Sequence, residues 1–333
     1  MLEKPRDSFH PWLPAEERYD HMAYRRCGRS GVLLPAVSLG LWHNFGAVDQ
    51  LDHCRETLRY AIDHGVVHLD LANNYGPPYG SAEQTLGTLM QQELHRWRDE
   101  LFIATKAGYD MWPGPYGNWG SRKYLMASLD QSLRRMHLDY VDLFYSHRYD
   151  PETPLEETLQ ALVDVVRQGK ALYVGISRWP LEALRVADEY LRAHDVPLLI
   201  YQGRLNMLDR EPIDSGVLDY CHQHGIGFIA FSPLQQGLLT DRYLQCQIQP
   251  DGTLTGMPEG SRMSKGGFLK PEALTPALLR QLKDWNAEAQ AQGRSLAEYA
   301  LRWILDQQGV SSVLVGASSW QQLEKNLQAI KSK

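Results

Sequence analysis

The sequence predicts an α/β fold, a (β/α)8 TIM barrel, from three observations. Eight short apolar runs recur along the 333 residues, helical patterns lie between them, and the first seven runs begin about 30 residues apart, roughly one strand–helix unit. The runs are continuous rather than alternating, as expected of parallel strands that are buried on both faces. They are 33–40, 66–72, 101–108, 140–147, 171–177, 197–203, 225–233 and 311–318.

The segments between the runs have the apolar period of amphipathic helices. Residues 121–138 begin with a predicted N-cap, Ser121, and place leucine at every fourth position after it. Helices are also predicted in 154–170, 181–194 and 295–309. These helices supply the outer layer that a barrel of parallel strands requires.

Two additions to the eight units are predicted. Residues 24–35 indicate a small hairpin before the first barrel strand, turning at Gly28–Gly31. A long insertion, 234–294, delays the last unit and contains a helix near 276–292. A doubly wound sheet is the alternative fold, but no GxGxxG follows the first run. We expect one domain, residues 1–333.

Composition excludes several classes of function. The net charge is −6 with interspersed acids and bases, which argues against a nucleic-acid partner. No uncharged apolar stretch is long enough to cross a membrane, and the charged, proline-rich start of the chain lacks the apolar core of a secretion signal. The four cysteines lie far apart and predict reduced thiols in a cytoplasmic protein.

Four ionisable side chains fall at or just after consecutive predicted strands. Asp70 ends the second run, and Tyr75 follows in a loop rich in glycine and proline. Lys106 ends the third run and His147 the fourth. Because the chemistry of such barrels lies at the carboxyl ends of the strands, we expect these four groups on one rim.

Each of the four groups has a chemical role in reducing a carbonyl. The Tyr75 phenol has an ordinary pKa of about 10, and a nearby ammonium favours its ionised form. At about 4 Å and an effective dielectric of about 20 that attraction is roughly 4 kcal/mol. Lys106 is therefore expected to lower the pKa of the Tyr75 phenol toward the working pH. Asp70 can serve as the counter-ion of Lys106, and His147 can hold the carbonyl oxygen. No nucleophile is evident, so the hydride is expected from a cofactor.

At this point the sequence resembles the aldo-keto reductases over nearly its whole length. Within that family it resembles the branch of bacterial L-glyceraldehyde 3-phosphate reductases and potassium-channel β subunits. The stretches that carry the resemblance are 38–46, 70–76, 104–117, 138–148, 169–179, 230–243 and 312–326. By this likeness Asp70, Tyr75, Lys106 and His147 match the catalytic tetrad of the family, in order and context.

The resemblance implies NADP(H), bound in an extended pose without a Rossmann fold. The residues implied near its nicotinamide are Trp42, Asp70, Ser177, Arg178, Gln202 and Phe231. Those implied along its phosphates are Ser232, Pro233, Leu234, Gln236, Gly237, Leu238, Arg242 and Arg262. Those implied at its adenosine are Gly316, Ser318, Gln322 and Asn326.

The predicted substrate is a small aldehyde, such as L-glyceraldehyde 3-phosphate or methylglyoxal. Its pocket is expected to involve Trp42, Tyr75, Trp112, His147, Arg122 and Lys123. The last two place positive charge in the first turn of a helix, which is unfavourable unless an anion lies there. We therefore expect them to bind a substrate phosphate. The resemblance also implies a homo-oligomer, a tetramer or an octamer.

Two other functions remain open at this point. The first is a cofactor-binding regulatory subunit with little turnover, like the channel β subunits, although His147 stands where those subunits commonly have asparagine. The second is a metal-dependent hydrolase that uses His68 and Asp70, which share a strand face. No third ligand accompanies them in the sequence, so we expect no metal.

Overall fold

The computed structural model describes residues 12–249, 253–261, 263–264 and 269–328. Its first element is the predicted hairpin, in which β1 (Tyr24–Arg26) pairs antiparallel with β2 (Leu33–Pro35). The backbone N–H of Cys27 closes the turn on the carbonyl of Val32 at 2.9 Å.

Eight parallel strands then close into a barrel, which confirms the predicted fold. They are β3 (Val37–Gly40), β4 (His68–Asp70), β5 (Phe102–Ala107), β6 (Val141–Ser146), β7 (Ala171–Ser177), β8 (Ile200–Arg204), β9 (Gly227–Phe231) and β12 (Val310–Val315). Each predicted run overlaps one of these strands. They pair in chain order, and β12 joins β9 to β3.

The first apolar run differs from the prediction because it contributes strands to two sheets. Its first part is β2 of the hairpin, and its second part is β3 of the barrel. The change occurs at Ala36, whose N–H bonds to Ala23 beside the hairpin while its carbonyl accepts from Val313 of β12. A continuous apolar run gives no signal for such a change of partner, because most residues of both segments are buried.

The helices are α1 (Leu51–Asp63), α2 (Ser81–Leu89), α3 (Arg122–Met136), α4 (Leu155–Arg167), α5 (Leu181–Ala193), α6 (Glu211–Asp214), α7 (Val217–His224), α8 (Pro276–Ala291), α9 (Leu296–Leu305) and α10 (Trp320–Gln328). As predicted, the Ser121 side chain caps α3 by accepting from the backbone N–H of Tyr124. At the start of α9, Ser295 and Glu298 form a reciprocal capping box.

The main core lies between the barrel and its helices, and a second cluster fills the barrel interior. The long insertion has its own apolar cluster, in which Leu239, Tyr243 and Leu282 are fully buried. It also contains a hairpin of β10 (Gln247–Ile248) and β11 (Leu254–Thr255) that the sequence did not predict, because two-residue strands have no detectable period. Among the residues described, no helix is long and apolar enough to cross a membrane.

Candidate active site

The four predicted side chains meet at the carboxyl end of the barrel. Asp70 is the last residue of β4 and pairs in register with Ala104 of β5. Lys106 lies two residues further along β5, and His147 directly follows β6. Because alternate strand residues face the same side, this register places Asp70 and Lys106 together inside the barrel. Lys106 is completely buried and Asp70 nearly so.

The Lys106 ammonium is the centre of the arrangement. It forms an ion pair with Oδ2 of Asp70 and donates to the carbonyl of Leu71 at 2.6 Å. It also donates to the phenol oxygen of Tyr75 at 3.3 Å. The other oxygen of Asp70 accepts from Nε2 of Gln202 at 3.1 Å. All three donors of the ammonium are thus used, and its position is fixed.

The loop that carries Tyr75 is held to the barrel by its backbone. The N–H of Asn73 bonds to the carbonyl of Lys106 at 2.9 Å, and the N–H of Tyr75 bonds to that of Ala72 at 3.1 Å. Gly76 follows with φ of 109°, and a Cβ there would approach Oγ of Ser81 to 2.0 Å. The turn after Tyr75 therefore requires glycine.

His147 lies beside Tyr75 and remains neutral near physiological pH. The centre of its ring is 5.8 Å from that of Tyr75 and 4.7 Å from that of Tyr109, both in edge-on contact. Burial lowers the pKa of His147 well below its usual range, and the charges of Lys106, Arg178 and Arg148 act in the same direction. A neutral imidazole can donate one hydrogen bond to a carbonyl oxygen.

The pKa of Tyr75 differs from the expectation. Burial raises it well above 10, and the carboxylate of Asp70 and the phenol of Tyr109 raise it further. Burial lowers the pKa of Lys106, while Asp70 opposes that fall. In the structure burial is the largest influence on Tyr75, and the ion pair of Lys106 with Asp70 offsets the effect of the ammonium. Tyr75 therefore stays protonated, in the form that a proton donor needs.

The predicted cofactor residues surround the other half of the same rim. Ser177 and Phe231 are the last residues of β7 and β9, and Gln202 lies on β8. The remaining described positions occupy the loops after β3, β7, β9 and β12 and one face of α10: Trp42, Arg178, Ser232, Pro233, Leu234, Gln236, Gly237, Leu238, Arg242, Gly316, Ser318, Gln322 and Asn326. Arg262 lies outside the described residues.

These loops combine partly exposed aromatic rings with unusual backbone conformations. Phe231 is half-buried and Trp42 is 39% exposed, so part of each ring reaches the surface of this rim. Backbone φ is positive at Arg178, Ser232 and Gln236, conformations that a binding loop holds at some energetic cost. These residues could hold NAD(P)H.

The structure corrects the expectation for Arg122. Its guanidinium pairs with Asp164 on α4, and its backbone N–H donates to a carboxylate oxygen of Glu157 at 2.9 Å. The anion at the start of α3 is therefore supplied by the chain itself. The ammonium of Lys123 lies 5.2 Å from the ring of Tyr116.

The loop after β5 forms a cleft of about 620 Å³ on this rim. Its lining includes Tyr79, Trp112 and Trp119. The Trp112 ring packs 5.1 Å from that of Tyr124 on α3. Two residues of this region, Tyr109 and Arg148, were missed by sequence reasoning, although each directly follows a residue that ends a predicted strand.

His68 does not form a metal site with Asp70. Its Nδ1 lies 2.8 Å from Oγ of Ser38, which in turn bonds to Ser312. Burial, with the charge of Lys106, lowers the pKa of His68 to about 3. In the part of the chain that the structure describes, no group of three histidine, cysteine or acidic side chains is placed to hold a metal ion. All four cysteines are free and buried.

The chain is similar to known proteins over most of its length. The model of the aldo/keto reductase family matches residues 36–333. The chain is 54% identical to L-glyceraldehyde 3-phosphate reductase of Escherichia coli, strains O157:H7 and K12, over 96% of this chain and 90% of that protein. It is also 32% identical to a probable voltage-gated potassium channel subunit beta of Arabidopsis thaliana, over 93% and 91% of the two chains.

Proposed function

Because this chain belongs to the aldo/keto reductase family and is an oxidoreductase, we propose that it reduces small aldehydes with NADPH, using Tyr75 as the general acid. The proposed substrates are L-glyceraldehyde 3-phosphate and methylglyoxal. The observation that carries the proposal is the position of the Lys106 ammonium, which contacts both the Asp70 carboxylate and the Tyr75 phenol oxygen.

In the proposed reaction, residues of the chain itself transfer the proton to the aldehyde oxygen. His147 donates a hydrogen bond to the aldehyde oxygen and orients it toward Tyr75. Tyr75 gives its proton to that oxygen as the carbonyl carbon is reduced, and Lys106 stabilises the phenolate that remains. Solvent then returns a proton to Tyr75.

Two groups keep this proton donor in place. Asp70 holds the ammonium of Lys106, and Gln202 holds the second oxygen of Asp70. NAD(P)H held by the residues of the rim would supply the hydride and be oxidised to NAD(P)+. The alcohol product therefore gains one hydride on carbon and one proton on oxygen.

The test is NADPH consumption with a panel of aldehydes. Turnover of L-glyceraldehyde 3-phosphate and methylglyoxal is expected, with 4-nitrobenzaldehyde as a generic probe. A regulatory subunit like the channel β proteins predicts instead that NADPH binds, as followed by its fluorescence, and is not consumed with any aldehyde. That outcome would reject the proposed reaction while retaining the cofactor site.

The preference for NADPH has a separate test. From the sequence, Arg262 is proposed to bind the 2′-phosphate, because arginine forms strong charge-assisted bonds with phosphate. Arg262→Ala is expected to weaken NADPH binding much more than NADH binding in fluorescence titrations. Equal weakening of the two cofactors would place Arg262 elsewhere.

A further inference from the structure

Among the residues that the structure describes, two arginines at the mouth of the site have no acidic partner in an ion pair. We propose that Arg148 and Arg178 together bind the phosphate of a phosphorylated aldehyde, an inference that rests on the proposed function. Both guanidiniums contact one residue, Tyr109, and the ring of Tyr109 in turn touches His147. The two positive charges thus lie one aromatic ring away from the group that would hold the aldehyde oxygen.

Arg148 is held rigidly, without neutralisation of its charge. Its guanidinium carbon lies 3.5 Å from the ring centre of Trp119 and 4.4 Å from that of Tyr109. Its Nε donates to the carbonyl of Gly108 and its Nη2 to Oδ1 of Asn118, both at 2.7 Å. These bonds use two of the five N–H groups of a guanidinium, which leaves donors for an anion.

Arg178 approaches the same place from the next strand. It follows the last residue of β7 in a left-handed conformation, with φ of 58°. Its Nη1 donates to the hydroxyl of Tyr109 at 3.1 Å. The resemblance places Arg178 beside the nicotinamide, so the side chain lies where a cofactor and a substrate would meet.

Two other cations on this rim are paired with acids. Lys106 pairs with Asp70, and Arg204 lies 3.6 Å from Asp209. Within the described ranges, no carboxylate lies within ion-pair distance of Arg148 or Arg178.

The amide group of Asn118 lies between Arg148 and the carboxylate of Asp110. Asp110 bonds to the amide nitrogen of Asn118, whose oxygen accepts from Arg148. Two positive charges thus lie beside a site for small molecules. Paired arginines favour phosphate because the planar guanidinium matches its oxygens in a bidentate geometry.

The kinetic test compares L-glyceraldehyde 3-phosphate with L-glyceraldehyde, which lacks only the phosphate. Arg148→Gln and Arg178→Gln are each expected to lower the ratio of kcat/KM for the two substrates by about tenfold or more, the usual worth of a hydrogen bond to a charged group. A change in cofactor binding affects both substrates and cancels in the ratio. Arg185→Gln is the matched control, because it removes the same charge from the outer face of α5, where Arg185 lies near Glu182.

A binding test does not depend on turnover. Glycerol 3-phosphate, the product of the proposed reduction, is titrated by calorimetry into the NADPH-loaded protein, with glycerol as the control ligand. Wild type and Arg185→Gln are expected to bind glycerol 3-phosphate, and the two site variants to bind it at least tenfold more weakly.

The outcomes separate this inference from the proposed function. An unchanged substrate ratio, or equal losses with both substrates, would show that the arginines only hold the loop and would overturn the phosphate site. Absence of glycerol 3-phosphate binding by the wild type would overturn it as well. If the wild type binds glycerol 3-phosphate through these arginines but reduces no aldehyde, the proposed reaction fails and the phosphate site stands.

Discussion

Two neighbouring residues of β5 belong to two different buried ion-pair clusters. Thr105 contacts one of them and Lys106 is part of the other. Thr105 faces outward and donates to Glu83 at 2.6 Å, and the other oxygen of Glu83 accepts from Arg135 at 2.7 Å. Lys106 faces inward and pairs with Asp70. Both acids are almost completely buried. Both pairs therefore carry the desolvation cost of removing charges from water.

The difference lies in what surrounds each pair. Glu83 is enclosed between α2 and α3, and both of its oxygens have partners within the protein. Lys106 touches Tyr75, which has a transferable proton, and His147 lies beyond that phenol. Burial and charge alone thus do not identify a site, whereas a proton donor beside the pair does. The following changes test this distinction.

The largest effect is expected from Lys106→Met. The variant is expected to lose most activity, because the phenolate of Tyr75 loses its stabilising charge, and to lose about 3–5 kcal/mol of stability, because Asp70 is left buried without its partner. Adding Asp70→Asn is expected to restore most of the stability, measured by urea unfolding, but not kcat. Recovery of activity in the double variant would make the pair purely structural.

Tyr75→Phe tests the proton donor alone. It retains the ring and removes the hydroxyl, so kcat is expected to fall about 10²- to 10⁴-fold, the usual contribution of general acid catalysis. NADPH titration serves as the control for an intact fold. If the variant keeps more than about a tenth of wild-type kcat in single-turnover measurements, the proton comes from another group.

Arg135→Met is the matched change on the outward side. It leaves the Glu83 carboxylate buried without its cation, and about 3–5 kcal/mol of stability is expected to be lost in urea unfolding. The kcat of the folded fraction is expected to stay within about twofold of wild type, because no reacting group is touched. Adding Glu83→Gln should recover stability. A large fall in kcat at unchanged stability would place this pair in the catalytic machinery.

The smallest effect is expected in the pH dependence of folding stability, through the buried His68. The pKa of His68 falls to about 3 in the folded chain, while the unfolded chain binds a proton at about 6.5. The unfolded state therefore binds more protons between these values, and folding stability falls as pH decreases below about 6.5, by up to roughly 1.4 kcal/mol per pH unit for this histidine.

His68→Asn removes this titration and keeps a hydrogen-bonding group for Ser38. Unfolding of the variant measured from pH 7 to pH 5 is expected to show a shallower fall in stability than the wild type, with the remaining dependence including His147, whose pKa is also lowered. Identical slopes for the two proteins would mean that His68 is charged in the folded state.

The order of elements and the principal site residues could be predicted from the sequence. Continuous apolar runs mark buried parallel strands, and Asp70, Lys106 and His147 stand at or just after the ends of such runs, where the fold brings them to one rim. The N-cap of α3 could also be predicted, because Ser121 bonds to a residue only three positions away. Such features depend on residues close in the chain, and their period or position can be seen without knowing the partners.

Tertiary structure decided the partners of each charge. Arg122 of α3 forms an ion pair with Asp164 of α4. Gln202 donates a hydrogen bond to Asp70, which lies 132 residues away in the chain. Arg148 and Arg178 have no acidic partner in the part of the chain that the structure describes, so they, rather than Arg122, carry the inferred phosphate site. A single sequence shows where charges occur along the chain, but which are neutralised depends on distances between elements, because Coulomb energies and desolvation are set in space.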